Sequence, residues 1–352
     1  MEAPKENAHE TTMADAISLT APGTALRLAL DMIIAGHLGA LICIGDTDAV
    51  LAAGNDGFPL NISFTANRLF ELSKMDGAIV LDRGLTQILR ANFHLNPDPS
   101  LPTAETGMRH RTAARVSLLT KAIVLSVSER RQVVHVYLNG RSFQLRPMAE
   151  LMTSVSQLLA TLQTTRQSLD RALLRLTSLE LDNYATLGDI SKIFNSFELL
   201  MTADADLRSL VAQLGSEGRT VEMQRSQLTG DMSDEYTLMV RDYAADSSPE
   251  AASEIREQFR MRAAKRTLTP KAVAQILGYE GKTEESVMTP LGLRTLSRVS
   301  VVREGMADKI VDEYGSLQEL LDDIEENPSR LDDIGVQNPT ILADSLSRMH
   351  GR

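Results

Sequence analysis

Tryptophan is absent from the 352-residue chain, and Phe and Tyr together make only 4% of it. Its cores must therefore be packed from Leu, Val, Ile, Ala and Met. A single cysteine, Cys43, excludes an intramolecular disulfide and a Cys-cluster zinc site. Set in GALICIGD, it reads as a small buried hydrophobe rather than a reactive thiol. No apolar run reaches the roughly 18 residues a spanning helix needs, and MEAPKENAHETTM lacks the basic and apolar regions of a signal peptide. The expected location is the cytoplasm, with no membrane partner, and residues 1–12 read as a disordered leader. A formal net charge of −11 argues against bulk attraction to DNA or to a membrane. A local basic site is still allowed.

What is present is an ordinary globular balance, 43% hydrophobic and 24% charged, over a length that suits two or three domains. Residues 13–147 read as α/β. PGTALRLALDMIIAGHLG places Leu26, Leu30, Ile33 and Ile34 on one helical face, with Pro22 able to open the helix. GALICIGD, bounded by Gly39 and Gly45, suits a strand covered on both faces. Helix ANRLFELSKM, strand GAIVLD, helix HRTAARVSLLTK and strands AIVLSVSE and QVVHVYLNG follow. This alternation predicts a mixed sheet flanked by helices on both faces.

Residues 148–265 form an all-α middle domain. It opens on a long amphipathic helix with Leu162, Leu169 and Leu176 seven apart, supported by Leu158, Leu159, Leu173 and Leu179. The stripe reads as a core-packing face, with a self-associating coiled coil as the alternative. LGDISKIFNSFELLM and DADLRSLVAQLG read as separate helices, with Asp204 and Ser233 as N-caps, and DYAADSSPEAASEI reads as a loop. Residues 266–352 carry two related helix–turn–helix units, SVVREGMADKIVDEYGSLQELLDD and LDDIGVQNPTILADSLSRM.

Three segments of the first region carry chemistry. KMDGAIVLD puts Asp76 and Gly77 before a strand. ETGMRHR puts Thr106, Gly107, Arg109, His110 and Arg111 at a helix start. SVSERR puts Ser128 and Glu129 at a strand end. A helix N-terminus offers free N–H groups and positive potential to an anion, and arginine adds bidentate, permanent charge. Asp76 supplies the opposite sign, as a magnesium-type ion or a hydroxyl to be deprotonated requires. Together the three suit a metal–nucleotide better than a bare carboxylate. Singly, each has a plainer reading: a turn, a solvated face, a backbone cap.

KMDGAIVL, ILRANFHLNPDPSLPTAETGMRHRTAARV and AIVLSVSERR resemble the DNA integrity scanning proteins, a family of diadenylate cyclases. The resemblance continues in order through RALLRLTSLELDNYATLGDI and ELLMTADADLRSLVAQLGSEGRTVEMQ to GLRTLSRVSVVREGMADKIVDEYGSLQELL. It implies an enzyme that condenses two ATP into cyclic di-AMP and two pyrophosphates with Mg2+ or Mn2+, two cyclase domains facing each other within a homo-octamer. By the same resemblance Asp76 binds the metal or helps deprotonate the 3′-hydroxyl offered by the facing protomer. Gly77 and Ala78 let the backbone approach the ribose, and Leu95 contacts the adenine. Thr106, Gly107, Arg109, His110 and Arg111 position phosphates and brace the domain pair, while Ser128 and Glu129 lie near triphosphate and metal. The family pattern is Gly-Thr-Arg-His-Arg; here Met108 stands in the threonine position, removing one potential phosphate hydrogen bond.

The last region resembles the family's helix-hairpin-helix module, which binds branched DNA such as Holliday junctions and restrains synthesis. Gly305 in REGMA and Gly335 in DDIGVQNP are the hairpin candidates, with Arg303 as a supporting cation. Two features oppose this. From 281 to 352, 8 Lys and Arg stand against 14 Asp and Glu, a net charge of −6. The second hairpin carries Gln337 where the usual form has a second glycine. Two other readings stand beside the enzyme: a DNA-binding scaffold with a weakened cyclase site, suggested by Met108, and a purely structural helical assembly.

Overall fold

The computed structural model describes residues 11–303, 305–326, 330–331, 334–336 and 338–350. These divide into two compact units: one of residues 11–156 with 208–222, the other of 157–207 with 223–350. Helices α6 (Met148–Leu181) and α7 (Leu187–Leu214) each begin in one unit and end in the other.

The first unit is built on eight strands: β1 Ala40–Ile44, β2 Gly54–Asn55, β3 Phe58–Ser63, β4 Ala78–Leu81, β5 Gln87–Leu95, β6 Ile123–Ser128, β7 Val133–Leu138 and β8 Arg141–Gln144. Their order is β2-β5-β4-β1-β6-β7-β8, with β3 also paired to β5. Only β1 and β4 run parallel, so the mixed sheet expected from the alternating pattern is realised. All five residues of β1 are buried because both faces are covered. Ala40, Ile42 and Ile44 pack with Leu26, Leu30 and Ile33 of α2 (Ala25–Ala35) and Leu69 of α4 (Ala66–Leu72). Leu41 and Cys43 face the opposite layer with Val50 of α3 (Thr47–Ala52) and Ala113 and Val116 of α5 (Met108–Leu119). The period of two along one strand thus feeds two cores, each such Leu or Ile contributing about 1.5–3 kcal/mol by its burial. Burial pushes the Cys43 thiol up to about 12, which leaves it protonated and inert.

Several local expectations are corrected. Thr12 is part of the ordered fold: it closes a capping box with Asp15 and starts α1 (Met13–Leu19). Residues 1–10 of the expected leader lie outside the described residues. Thr24, whose hydroxyl accepts from the Arg27 N–H, opens α2; Pro22 stands ahead of the cap. Strands β2, β3, β5 and β8 add to the strands expected from the sequence. They are edge strands or, in β5, a strand broken by register shifts.

In the second unit, Leu162, Leu169, Leu173 and Leu176 of α6 are buried within the chain, the core-packing reading of the stripe; Leu158, Leu159 and Leu179 are half-buried. The two expected helices after residue 187 are one, α7. Asp204 lies inside it, buried and paired with Arg225 at 2.5 Å, so it caps nothing. Ser233 likewise sits in the first turn of α9 (Met232–Tyr243), after its N-cap Asp231. Of the segment read as a loop, residues 244–248 connect α9 to the next helix; Ser248 then caps α10 (Pro249–Ala263), with Pro249 in its first turn. Helices α8 (Arg219–Thr229), α11 (Pro270–Ile276), α12 (Leu293–Ser297), α13 (Met306–Tyr314), α14 (Leu317–Glu326) and α15 (Pro339–His350) complete the chain. The last four surround a core that includes Leu293, Leu296, Ile310, Leu317, Leu320, Leu342 and Leu346.

Candidate functional site

A cleft of about 650 Å³ opens at one end of the sheet, where β1 and β4 begin and β5 and β6 finish. Asp76 and Gly77 lead into β4. Gly77 has φ +84°, and a Cβ there would come within 2.8 Å of the Asn92 carbonyl carbon, so only glycine lets the backbone lie against β5. The Asn92 amide donates to the Asp76 carbonyl at 2.8 Å and holds this corner. Facing it is the N-terminus of α5. Gly107 is the N-cap and makes no side-chain cap, so the first N–H groups of the helix stay available at the cleft. Met108 is 77% exposed at the first helical position.

Arg109 lies across Gly39: a Cβ there would fall 2.0 Å from its Nη1. Its ion pair with Glu129 is long, 3.9 Å, and solvent-facing, so it holds little of the guanidinium's charge. No described residue bonds the Asp76 carboxylate. His110 is half-buried, and its Nδ1 lies 3.1 Å from the Tyr137 hydroxyl, which donates to Glu105 Oε1 at 2.9 Å. Burial holds the His110 imidazole below its ordinary value; Glu105 opposes this, while Arg131 and Arg109 reinforce it. The neighbouring His135 ring, 5.0 Å away edge-on, is lowered first by burial and then by His110. Burial and the Glu105 carboxylate push the Tyr137 phenol up, so it stays a donor.

Of the residues singled out in the sequence, Asp76, Gly77, Ala78, Leu95, Gly107, Met108, Arg109, His110, Ser128 and Glu129 line this one cleft. Thr106 and Arg111 do not; both are exposed beside it. Ser128 Oγ accepts from the Arg131 N–H at 3.2 Å, so its plainer backbone-capping role is also present. Phe93, His94, Asn96 and Arg130 join the lining without having been anticipated. Gly39 and Tyr137 were also missed: one is a bare glycine at a strand start, the other one aromatic in an apolar run. Among the described residues no three His, Cys, Asp or Glu side chains come together as a metal site. One unpartnered carboxylate still fits Mg2+ or Mn2+, which commonly takes one or two carboxylates with the rest of its shell from phosphate oxygens and water.

In the other unit, Gly305 (φ +73°) is the N-cap of α13 and Gly335 has φ +86°. A Cβ at either would meet open space, so it is the left-handed backbone of the turn that favours glycine. Arg303 is exposed, and its carbonyl accepts from the Met306 N–H at 2.9 Å. Gln337 lies outside the described residues.

Two family models match the chain. Residues 27–142 match the DisA bacterial checkpoint controller nucleotide-binding model, and residues 145–286 match the DisA bacterial checkpoint controller linker region. The DNA integrity scanning protein DisA of Symbiobacterium thermophilum is 37% identical over 94% of this chain and 93% of its own length. The chain belongs to the DisA family. The protein of the same name from Corynebacterium efficiens is 37% identical over 96% of both chains, and that of Acetivibrio thermocellus 34% identical over 95% and 93%. The cleft lies within the part that matches the DisA nucleotide-binding model, and the chain is a diadenylate cyclase, a nucleotidyltransferase. No described helix is long and apolar enough to cross a membrane.

Proposed function

We propose that this DisA protein condenses two ATP into cyclic di-AMP with release of two pyrophosphates, each ATP held in the cleft of one of two facing cyclase domains. The observation that carries the reading is the convergence of Asp76-Gly77-Ala78 with the open N-terminus of α5 in one cleft. The α5 amides and Arg109 bind phosphate oxygens, and Gly77 admits the ribose against the β4–β5 backbone. Leu95 packs against adenine, while Ser128 and Glu129 border the triphosphate. Asp76 holds Mg2+ or Mn2+, which when bound offsets phosphate charge. Alternatively, Asp76 helps deprotonate the 3′-hydroxyl of the facing nucleotide. Alignment of that hydroxyl with the α-phosphate, set by the pairing of two domains, is the main catalytic device. Thr106 and Arg111, exposed beside the cleft, suit the contact between paired domains. Incubation with ATP and Mn2+ tests the reading; absence of cyclic di-AMP overturns it.

The finer assignments follow the same line. Residues 266–352 form a helix-hairpin-helix module in which the amides around Gly305 and Gly335, with Arg303, bind phosphates of branched DNA and restrain synthesis. The left-handed turns at both glycines support this, and arrayed copies in a homo-octamer would offset the acidic tail through multivalency. A four-way junction should shift strongly at low salt and weakly at high salt; no shift at low salt removes the claim. The cytoplasm is the compartment where ATP and DNA meet such an enzyme. Met108 favours one second reading, a DNA-binding scaffold with a weakened cyclase site.

A further inference from the structure

Beside the cleft, three side chains from three elements form a hydrogen-bond chain with only one possible direction. Glu105, in the loop before α5, is a carboxylate and can only accept. Its backbone N–H is tied to Thr103 Oγ1 at 3.1 Å, which fixes the loop. Tyr137, buried on β7, has one proton and gives it to Glu105 Oε1 at 2.9 Å. The phenolic oxygen is then left as an acceptor, and the atom 3.1 Å from it is His110 Nδ1. Nδ1 must therefore carry the ring proton. The remaining polar atom of a ring that lines the cleft is Nε2, to which no described residue is bonded. Its lone pair is what His110 can offer a ligand.

We propose that Glu105 and Tyr137 are positioning residues of the cyclase site, fixing His110 as its Nδ1–H tautomer so that Nε2 meets the nucleotide as a hydrogen-bond acceptor for a ribose hydroxyl. The choice of partner follows from chemistry. Phosphate oxygens only accept and gain nothing from a lone pair, whereas the α5 amides and Arg109 already supply donors for them. The surroundings keep the ring neutral: Arg109 and Arg131 face it with positive charge, His135 packs edge-on at 5.0 Å, and burial adds to both, with Glu105 the one opposing group. The same logic governs other catalytic histidines, whose tautomer is set by the bond made at the far nitrogen.

The choice of ribose rests on the nucleotide reading of the cleft, but the tautomer does not, so the two can fail separately. In the ligand-free protein, at a pH above the histidine's titration, the nitrogen NMR shifts of His110 should show a protonated Nδ1 and a bare Nε2. A protonated Nε2 there overturns the proposal whatever the cleft binds. Tyr137→Phe removes the acceptor for Nδ1 without changing the ring. It should lower kcat about 10–100-fold, leave KM for ATP within about threefold, and release the tautomer preference. Should Tyr137→Phe fail to fold, Glu105→Gln serves: its amide can donate to Tyr137, allow the chain to reverse and give a mixture of tautomers with a smaller loss of kcat. Full activity in the folded variant, Tyr137→Phe or else Glu105→Gln, contradicts the proposal even if the tautomer is as stated.

Discussion

Two clusters of charged side chains, one in each unit, are handled in opposite ways. In the first, no described residue bonds the Asp76 carboxylate, Arg109 has one long contact to Glu129, and both face an open cleft. In the second, Arg294 and Glu180 are each 1% exposed and ion-paired, with Tyr243 donating to Glu180 at 2.6 Å and Arg294 Nη1 reaching Thr177 at 3.1 Å. Beside them Asp242 accepts from the N–H groups of Gly292, Leu293 and Arg294 and so closes the start of α12. Charges left unsatisfied in the first unit are available to a ligand. Charges paired with one another in the second tie α6, α9 and α12 into one body. Sequence alone gives both sets the same letters; it is burial and partnership that separate a site from a staple.

The sharpest way to break this contrast is to remove one charge from each side. Asp76→Asn should reduce cyclic di-AMP to background while the circular dichroism and melting of the protein stay as in the wild type. An unchanged rate of synthesis removes Asp76 from the mechanism. Glu180→Ala does the reverse: it leaves a buried guanidinium uncompensated and should cost about 3–5 kcal/mol, read as a lowered denaturation midpoint. A shift below about 1 kcal/mol would mean that Arg294 finds solvent.

Subtler substitutions sharpen it. Gly39→Ala pushes first on the flexible end of Arg109, at 2.0 Å from Nη1, and only then on the Val127 carbonyl oxygen, 3.3 Å away. Stability should hold within about 0.5 kcal/mol, while loss of a charge-assisted phosphate contact, about 1.5–3 kcal/mol, lowers kcat/KM about 10–100-fold. Met108→Thr, at a position 77% exposed and on the cleft, should raise turnover by up to the same factor without altering the fold. No gain would show that the missing hydroxyl is immaterial.

The smallest effect is in pH. His110 and His135 have folded values held below the usual 6.5, so the unfolded chain binds protons more readily there; the first unit should lose stability as pH falls below about 6.5. Asp242 is pushed up to about 7 by burial and Glu180, which outweigh Arg294 and the amides. Its contribution is full below its unfolded value near 3.8 and lost as pH rises towards 7. Hydrogen exchange followed across this range should give opposite slopes in the two units, and parallel slopes would contradict the assignment.

Much of this was legible because it rests on local pattern. The buried run ALICI, the Leu stripe of α6 and the Asp-Gly and Gly-x-Arg-His signals all encode their structural setting within a few residues. What was not legible depends on partners far along the chain. Asp204 looks like a cap until Arg225 comes beside it. Gly39 looks like punctuation until Arg109 rests on it. Tyr137 looks like core until its hydroxyl is found between Glu105 and His110. The cleft lies where the parallel strands β1 and β4 begin, as Asp76-Gly77 ahead of a strand signals, rather than at their carboxyl ends, the usual ligand side of an open α/β sheet.

The central claim is that two clefts, each built from Asp76-Gly77-Ala78 and the start of α5, make each bound ATP the nucleophile for the other. Its most direct test is product formation by mixtures of wild-type protein with Asp76→Asn at fixed total concentration, after the subunits have been allowed to exchange. If both clefts of a pair are needed, cyclic di-AMP should fall as the square of the wild-type fraction. A fall in simple proportion to that fraction, or no cyclic di-AMP from the wild-type protein with ATP and Mn2+, would contradict it.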